Sequence, residues 1–172
     1  MSAPTVNVWG YAPWGYIAWG GSDGILTEVF EEALVSKLGS ISELTALTSG
    51  MFTQSLPETW QLDSNGPALS YVVTTKPYGH VLSGSDGTAT ARVSFNIWSY
   101  EYGTAKQITE AIFNAIDGQP DIWGNGSVEI MSVVQQDEID ASEPPQAGTD
   151  QWVYRLIVEY NVKYRVSLPA LV

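Results

Sequence analysis

Carboxylates and aromatic rings are the groups in this chain whose types and spacing bear on chemistry. Glu31–Glu32, Asp137–Glu138 and Asp140–Glu143 are pairs of the kind that supply an acid and a base or nucleophile to glycoside hydrolysis. That reaction requires two carboxyl groups held at a fixed separation. Glu31 and Glu32 fall on the solvent side of a helical pattern, and the other two pairs fall in "DEIDASEPPQAGTD", whose composition offers nothing to hold them. Catalysis is therefore not expected. His80, the one histidine, stands beside Gly79 in a turn-like stretch. It lacks the further ligands a metal needs and the partner a nucleophile needs. Cys is absent, which excludes thiol catalysis, disulfides and Cys–zinc sites. GxGxxG, GxxxxGK[ST] and HExxH do not occur, and "GSDGTATA" is not followed by the helix that a phosphate cradle requires.

The aromatic residues are arranged differently. "WGYAPWGYIAWGG" places Trp-Gly pairs at Trp9, Trp14 and Trp19, with Tyr11 and Tyr16 between them. A spacing of five fits neither the two-residue period of a strand nor one stripe of a helix. Gly10, Pro13, Gly15 and Gly20 interrupt either element. Residues 1–22 thus read as an extended, Gly-hinged arm. Its rings can seat in a partner's groove, pack back on the arm's own domain, or stack on sugars; the sugar reading is weakened because lectin sites present their aromatics from a rigid scaffold.

Charge limits the partners. Nineteen Asp and Glu against seven Lys and Arg give −12, which leaves little with which to build the basic patch that phosphate backbones require. A solvated acidic surface is the plain reading, and a surface that repels nucleic acid is the sharper one. No run of about 18 apolar residues exists to span a membrane, and the start lacks a basic n-region and an apolar h-region, so neither membrane contact nor a signal peptide is expected.

The elements follow from periodicity. In "GILTEVFEEALVSKLG", Leu26, Val29, Phe30, Ala33, Leu34 and Leu38 recur at three- and four-residue spacing, predicting a helix capped by Ser22 or Asp23 and ended by Gly39. "ISELTAL" adds a short turn of helix, and residues 48–67 read as irregular. "ALSYVVTTKP" predicts a strand closed by Pro77, then a polar turn, then the alternating strand "ATARVSFNIWS". A second helix carries Ala105, Ile108, Ile112, Ala115 and Ile116 on one stripe, with Thr104 and Gln107 as a capping box and Gly118 at its end. "SVEIMSVVQ" is a third strand. In "QWVYRLIVEYNVKYRV", Trp152, Tyr154, Leu156, Val158, Tyr160, Val162, Tyr164 and Val166 alternate against polar positions; at sixteen residues this strand is long enough to project past the domain or run along a partner. The expected fold class is α+β: an antiparallel sheet of about four or more strands with two helices on one face, plus the arm. The expected domains are the arm at 1–22 and one domain at 23–172 with a flexible acidic loop at 137–150.

From about Asp23 to Val166 the chain resembles the tail-completion family of tailed bacteriophages, which includes head–tail joining and tail-terminator proteins. The resemblance rests on "GILTEVFEEALVSKL", the Gly-Pro entry of "GPALSYVV", the strand–helix pair "RVSFNIWSYEYGTAKQITEAIFNAIDG" and the closing strand "WVYRLIVEYNVKYRV". It implies a structural virion protein of the neck, without cofactor or active site. Such a protein would form a homo-oligomeric ring, typically hexameric, that ends the tail tube, docks the portal or adaptor proteins and leaves a channel for double-stranded DNA. A tail-tube or minor tail protein is the alternative, and a carbohydrate-binding module is the remote one. On this reading Trp9, Tyr11, Trp14, Tyr16 and Trp19 are the candidate subunit-binding residues. Asp137, Glu138, Asp140, Glu143 and Asp150 are the candidate lumen- or tube-facing acids. Assembly in the host cytoplasm is expected.

Overall fold

The computed structural model describes residues 30–81, 84–118, 120–124, 128–145 and 150–166; the arm, including its five aromatic residues, lies outside them. Two strands organise the rest: β4 (Gly84–Ser99) and β7 (Tyr154–Arg165). They are antiparallel neighbours over twelve paired positions, Thr88↔Arg165 through Ser99↔Tyr154. Their apolar positions meet in register: Ala91↔Val162, Val93↔Tyr160, Phe95↔Val158 and Ile97↔Leu156, none more than 1 % exposed. Successive side chains point to opposite faces, so this one register puts the buried apolar residues of both strands on one side and leaves Trp98 and Ile157 on the other. The rings of Phe95 and Tyr160 meet edge-on there, 5.7 Å apart.

The full sheet has seven strands, with the order β1 (Gly50–Thr53), β2 (Ala68–Thr75), β4, β7, β6 (Val128–Asp140), β5 (Asp121–Trp123). β3 (Tyr78–Val81) pairs with β4 beyond β2. The sheet is mixed rather than purely antiparallel, because β1 runs parallel to β2. The stretch expected to be irregular supplies β1 and a one-turn helix, α3 (Leu62–Asn65); residues 54–67 form the crossover that a parallel pair needs. The expected polar turn after Pro77 is a β3–β4 hairpin. β7 is an inner strand of twelve residues, so it runs along its own neighbours and does not project to a partner.

Helices α1 (Phe30–Ser40), α2 (Ser42–Leu47) and α4 (Tyr102–Ile116) cover the apolar face. In α4 the stripe Ala105, Ile108, Ile112 and Ile116 is buried against β4 and β7; a fully buried aliphatic side chain of this kind contributes about 1.5–3 kcal/mol. α4 starts two residues before the proposed capping box: Glu101 holds the cap position, and Thr104, inside the first turn, donates to its carboxylate at 3.0 Å. Gly118 ends the element as read, at φ +73°, with its N–H on the Val133 carbonyl. Gly39, by contrast, lies inside α1. α1 presents Phe30, stacked on Tyr164 at 4.5 Å, and Leu34 and Leu38 to the core. No helix among the described residues is long and apolar enough to cross a membrane.

An ion pair ties α1 to the far edge of the sheet: Lys37 Nζ donates to Asp121 Oδ2 at 2.7 Å. That hydrogen bond, foremost, holds the Asp121 carboxyl below its usual 3.8. A carboxyl whose folded value is depressed takes up its proton first in the unfolded chain. Its stabilisation is complete above the unfolded value and is lost as pH falls through the folded one. In Lys37→Met, measured as urea midpoints against pH, the decline of stability below about pH 4 should be shallower than in the parent chain; an identical acid limb would show that the pair contributes nothing.

Candidate functional site

The register that buries one face also assembles the other. On the side away from α4, β4 and β7 present Arg92, Ser94, Asn96 and Trp98 beside Arg155, Ile157, Glu159, Asn161, Lys163 and Arg165. Four of the chain's seven cations therefore share one face of two adjacent strands. The composition leaves little for a basic patch; pairing nonetheless gathers these cations, because residues placed far apart in sequence become neighbours, with Glu159 among them. β6 adds Glu129 and Asp137 to this side, and it adds the apolar Val134 and Ile139, 50 % and 43 % exposed.

These cations are not equivalent. Arg92 pairs with Glu159, and Arg165 Nε lies 3.3 Å from Glu129. Arg155 has no carboxylate at ion-pair distance among the described residues. Its guanidinium lies over the Trp98 ring, 4.9 Å from the centroid, and donates through Nη2 to the neutral Asn96 Oδ1 at 2.8 Å. Its Nε is buried without a partner. Ser70, opposite Asn96 on β2, is fully buried with an unpartnered hydroxyl. At the β1 edge the Trp60 ring meets Phe52 edge-on at 4.9 Å, and its Nε1–H donates to the Gly66 carbonyl. Lys163 is exposed and has no ion-pair partner among the described residues. The sequence marked Lys163 and Arg165 only as the polar half of an alternation, and Arg155 also as the arginine near the start of the closing strand that enters the family resemblance.

The acidic residues proposed for a flexible loop are placed otherwise. Strand β6 runs through Asp140, and the ladder continues to a bridge between Glu143 and Val153, so Asp137, Glu138 and Asp140 sit on a strand. They also divide between faces. Asp137 lies opposite Glu159 on the open side, whereas Glu138 faces α4 and pairs with Lys106. The hydrogen bond from Lys106 to Glu138, foremost, raises the ammonium above its usual pKa. Asp140 accepts from the Ser142 hydroxyl and backbone N–H, and these bonds lower its pKa. Glu143 and Asp150 are exposed.

Neither carboxylate pairing nor His80 forms a catalytic constellation among the described residues. Asp137 and Glu138 point to opposite faces of one strand, and Glu31 pairs with Lys76 while Glu32 is exposed. His80 is exposed on β3. No group of three or more His, Asp or Glu among the described residues converges on a metal position. "GSDGTATA" is strand from Gly84 onward, where Asp86 accepts from the Thr88 backbone and hydroxyl to set the hairpin. An open groove lined by Phe113, Asp117, Val134, Gln135 and Glu138 lies where α4 ends against β6. Asp117 is committed to structure there, accepting from Gln135 N–H at 2.8 Å. The Tyr160 hydroxyl, whose pKa burial pushes up, donates to Gln135 Oε1.

Among the described residues the arrangement offers surfaces of different charge. A comparison with curated proteins gave no match. Among solved structures, a chain described as "Virion of native gene transfer agent (GTA) particle" superposes with a TM-score of 0.51 at 14 % identity, over 78 % of this chain and 94 % of that one. At that identity the likeness concerns the fold. The family model "Tail completion protein gp17" matches residues 32–164, from α1 through the end of β7, and the chain belongs to that family.

Proposed function

We propose that this protein is a structural component of the phage neck, forming a closed ring that ends the tail tube and joins it to the head connector around a DNA channel. The observation that carries this reading is the family match, which spans the sheet and the helices that cover it. Likeness of fold to a chain from a virion of a gene transfer agent particle supports it. The partners in this reading are further copies of the chain, the tail-tube protein and the portal or adaptor proteins, assembled in the host cytoplasm. No cofactor and no catalysis are involved.

A charge of −12 per copy multiplies around a ring. A channel wall that attracted phosphates would hold the genome, whereas net repulsion lets it pass. The exposed acids at the β6–β7 end are the candidates for that wall. The Trp/Tyr arm is the candidate clamp on an adjacent subunit or ring, since Trp and Tyr supply much of the energy of interfaces.

Three measurements test the proposal. Quantitative mass spectrometry of purified particles should count about six copies of this chain per portal ring, as one closed ring requires. Tens to hundreds of copies would assign it to the tail tube, and absence from particles would overturn the structural role. Deleting residues 1–21 should leave a soluble domain that no longer completes particles; an aggregating product would mean that the arm packs on its own domain. Changing Asp137, Glu143 and Asp150 to their amides, which spares the Lys106–Glu138 pair, should slow DNA ejection without blocking assembly. Unchanged ejection would remove these acids from the channel.

A further inference from the structure

We propose that the open face of the sheet, centred on Arg155 and Trp98, is the docking surface for the helix layer of a second copy of this chain. The inference deepens the ring reading and rests on it. The first argument is the state of Arg155. A guanidinium that is half-buried, with Nε shut away from solvent and only a neutral amide as acceptor, carries a desolvation cost that its own chain does not offset with an opposite charge. An incoming carboxylate would offset it. An Arg stacked on a Trp is also the composition in which interface energy concentrates, and exposed Ile139 extends the same face with apolar area.

The second argument is what the rest of the chain can offer. The helix layer is acidic: Glu32, Glu43 and Glu110 are exposed on α1, α2 and α4. The two lysines of that layer, Lys37 and Lys106, are already engaged by Asp121 and Glu138 of the sheet. One side of the domain thus carries two cations, Arg155 and Lys163, without a carboxylate at ion-pair distance among the described residues, beside the exposed Asp137, and the opposite side carries carboxylates without a cation at that distance. Complementary patches on opposite sides of one protomer cannot satisfy each other in a two-fold dimer. They propagate head to tail, and such a contact closes into a ring when its rotation divides the circle.

The test uses the full-length protein, alone and in purified particles. Carbodiimide, which joins amines to carboxylates at zero length, is followed by mass spectrometry. Lys163 should link to Glu43 or Glu110. Within one chain these groups lie on opposite faces of the sheet, so the link can form only between copies. In parallel, Lys163→Glu, a change at an exposed position, should weaken self-association measured by sedimentation at least about tenfold. Mixing this variant with Glu110→Lys or Glu43→Lys protein should restore it. Inter-copy links confined to other surfaces, together with wild-type assembly of Lys163→Glu, would overturn the docking face and leave the ring standing. Loss of duplex DNA binding in Lys163→Glu, with assembly unchanged, would overturn it in favour of a nucleic-acid face. A chain with no inter-copy link and a one-copy mass in both settings would overturn the ring itself.

Discussion

The pairing of β4 with β7 is the constraint on which the rest of this molecule depends. Twelve positions are matched without a break, and a slip of one residue would invert every side chain of one strand relative to the other. Phe95 and Val158 would then part, and Arg92 or Glu159 would enter the core. The apolar stripe of α4 has a place to pack only because Ala91, Val93, Phe95 and Ile97 share a side with Leu156, Val158, Tyr160 and Val162. The strand–helix step from Ser99 to Tyr102 brings α4 back over the strand that precedes it, with the Ser99 hydroxyl holding the Glu101 backbone N–H. α1 and α2 then complete the layer against β5 and α4.

The same register explains how a strongly acidic chain gathers most of its cations on one face. Positive residues are few, yet three of the seven fall on outward positions of β7 and one on an outward position of β4. Three further cations, Lys37, Lys76 and Lys106, are consumed in ion pairs with Asp121, Glu31 and Glu138. Exposed pairs of this kind contribute little to stability, but they decide where free charge remains. What is left without an ion pair among the described residues includes Arg155, Lys163 and Asp137 on the open sheet and Glu32, Glu43 and Glu110 on the helices.

Much of the architecture was legible because it is periodic. The stripe of α4 and the alternation of β7 repeat at the spacing of their own geometry; Ala105, Ile108, Ile112 and Ile116 are buried with Ala115 partly so, and Leu156 to Tyr164 are buried in alternation, whereas Trp152 falls before the strand and is exposed. β6 was legible only to Gln135. Its bulges between Ile130 and Ser132 and between Gln135 and Asp137 shift which residues face the helices, so that Ile130, Val133 and Glu138 lie on one side despite uneven spacing. A two-residue template loses the strand at the second bulge, and its acidic end then looks like a loop. β1 escaped notice because a four-residue edge strand shows too few alternations, and its parallel partnership depends on a crossover rather than on local pattern.

By itself the sequence determined the two long apolar faces, the helices that cover them, the excess of negative charge and the family likeness, since each is carried by local spacing or by composition. Only the tertiary structure decided which charges stand together. Arg155 and Trp98 are far apart in sequence and meet across β4 and β7, while Asp137 and Glu138 are adjacent and face opposite ways. Side-chain direction alternates along a strand, and neighbours across a sheet are chosen by register. A surface is therefore a property of pairing, which no stretch of one strand contains.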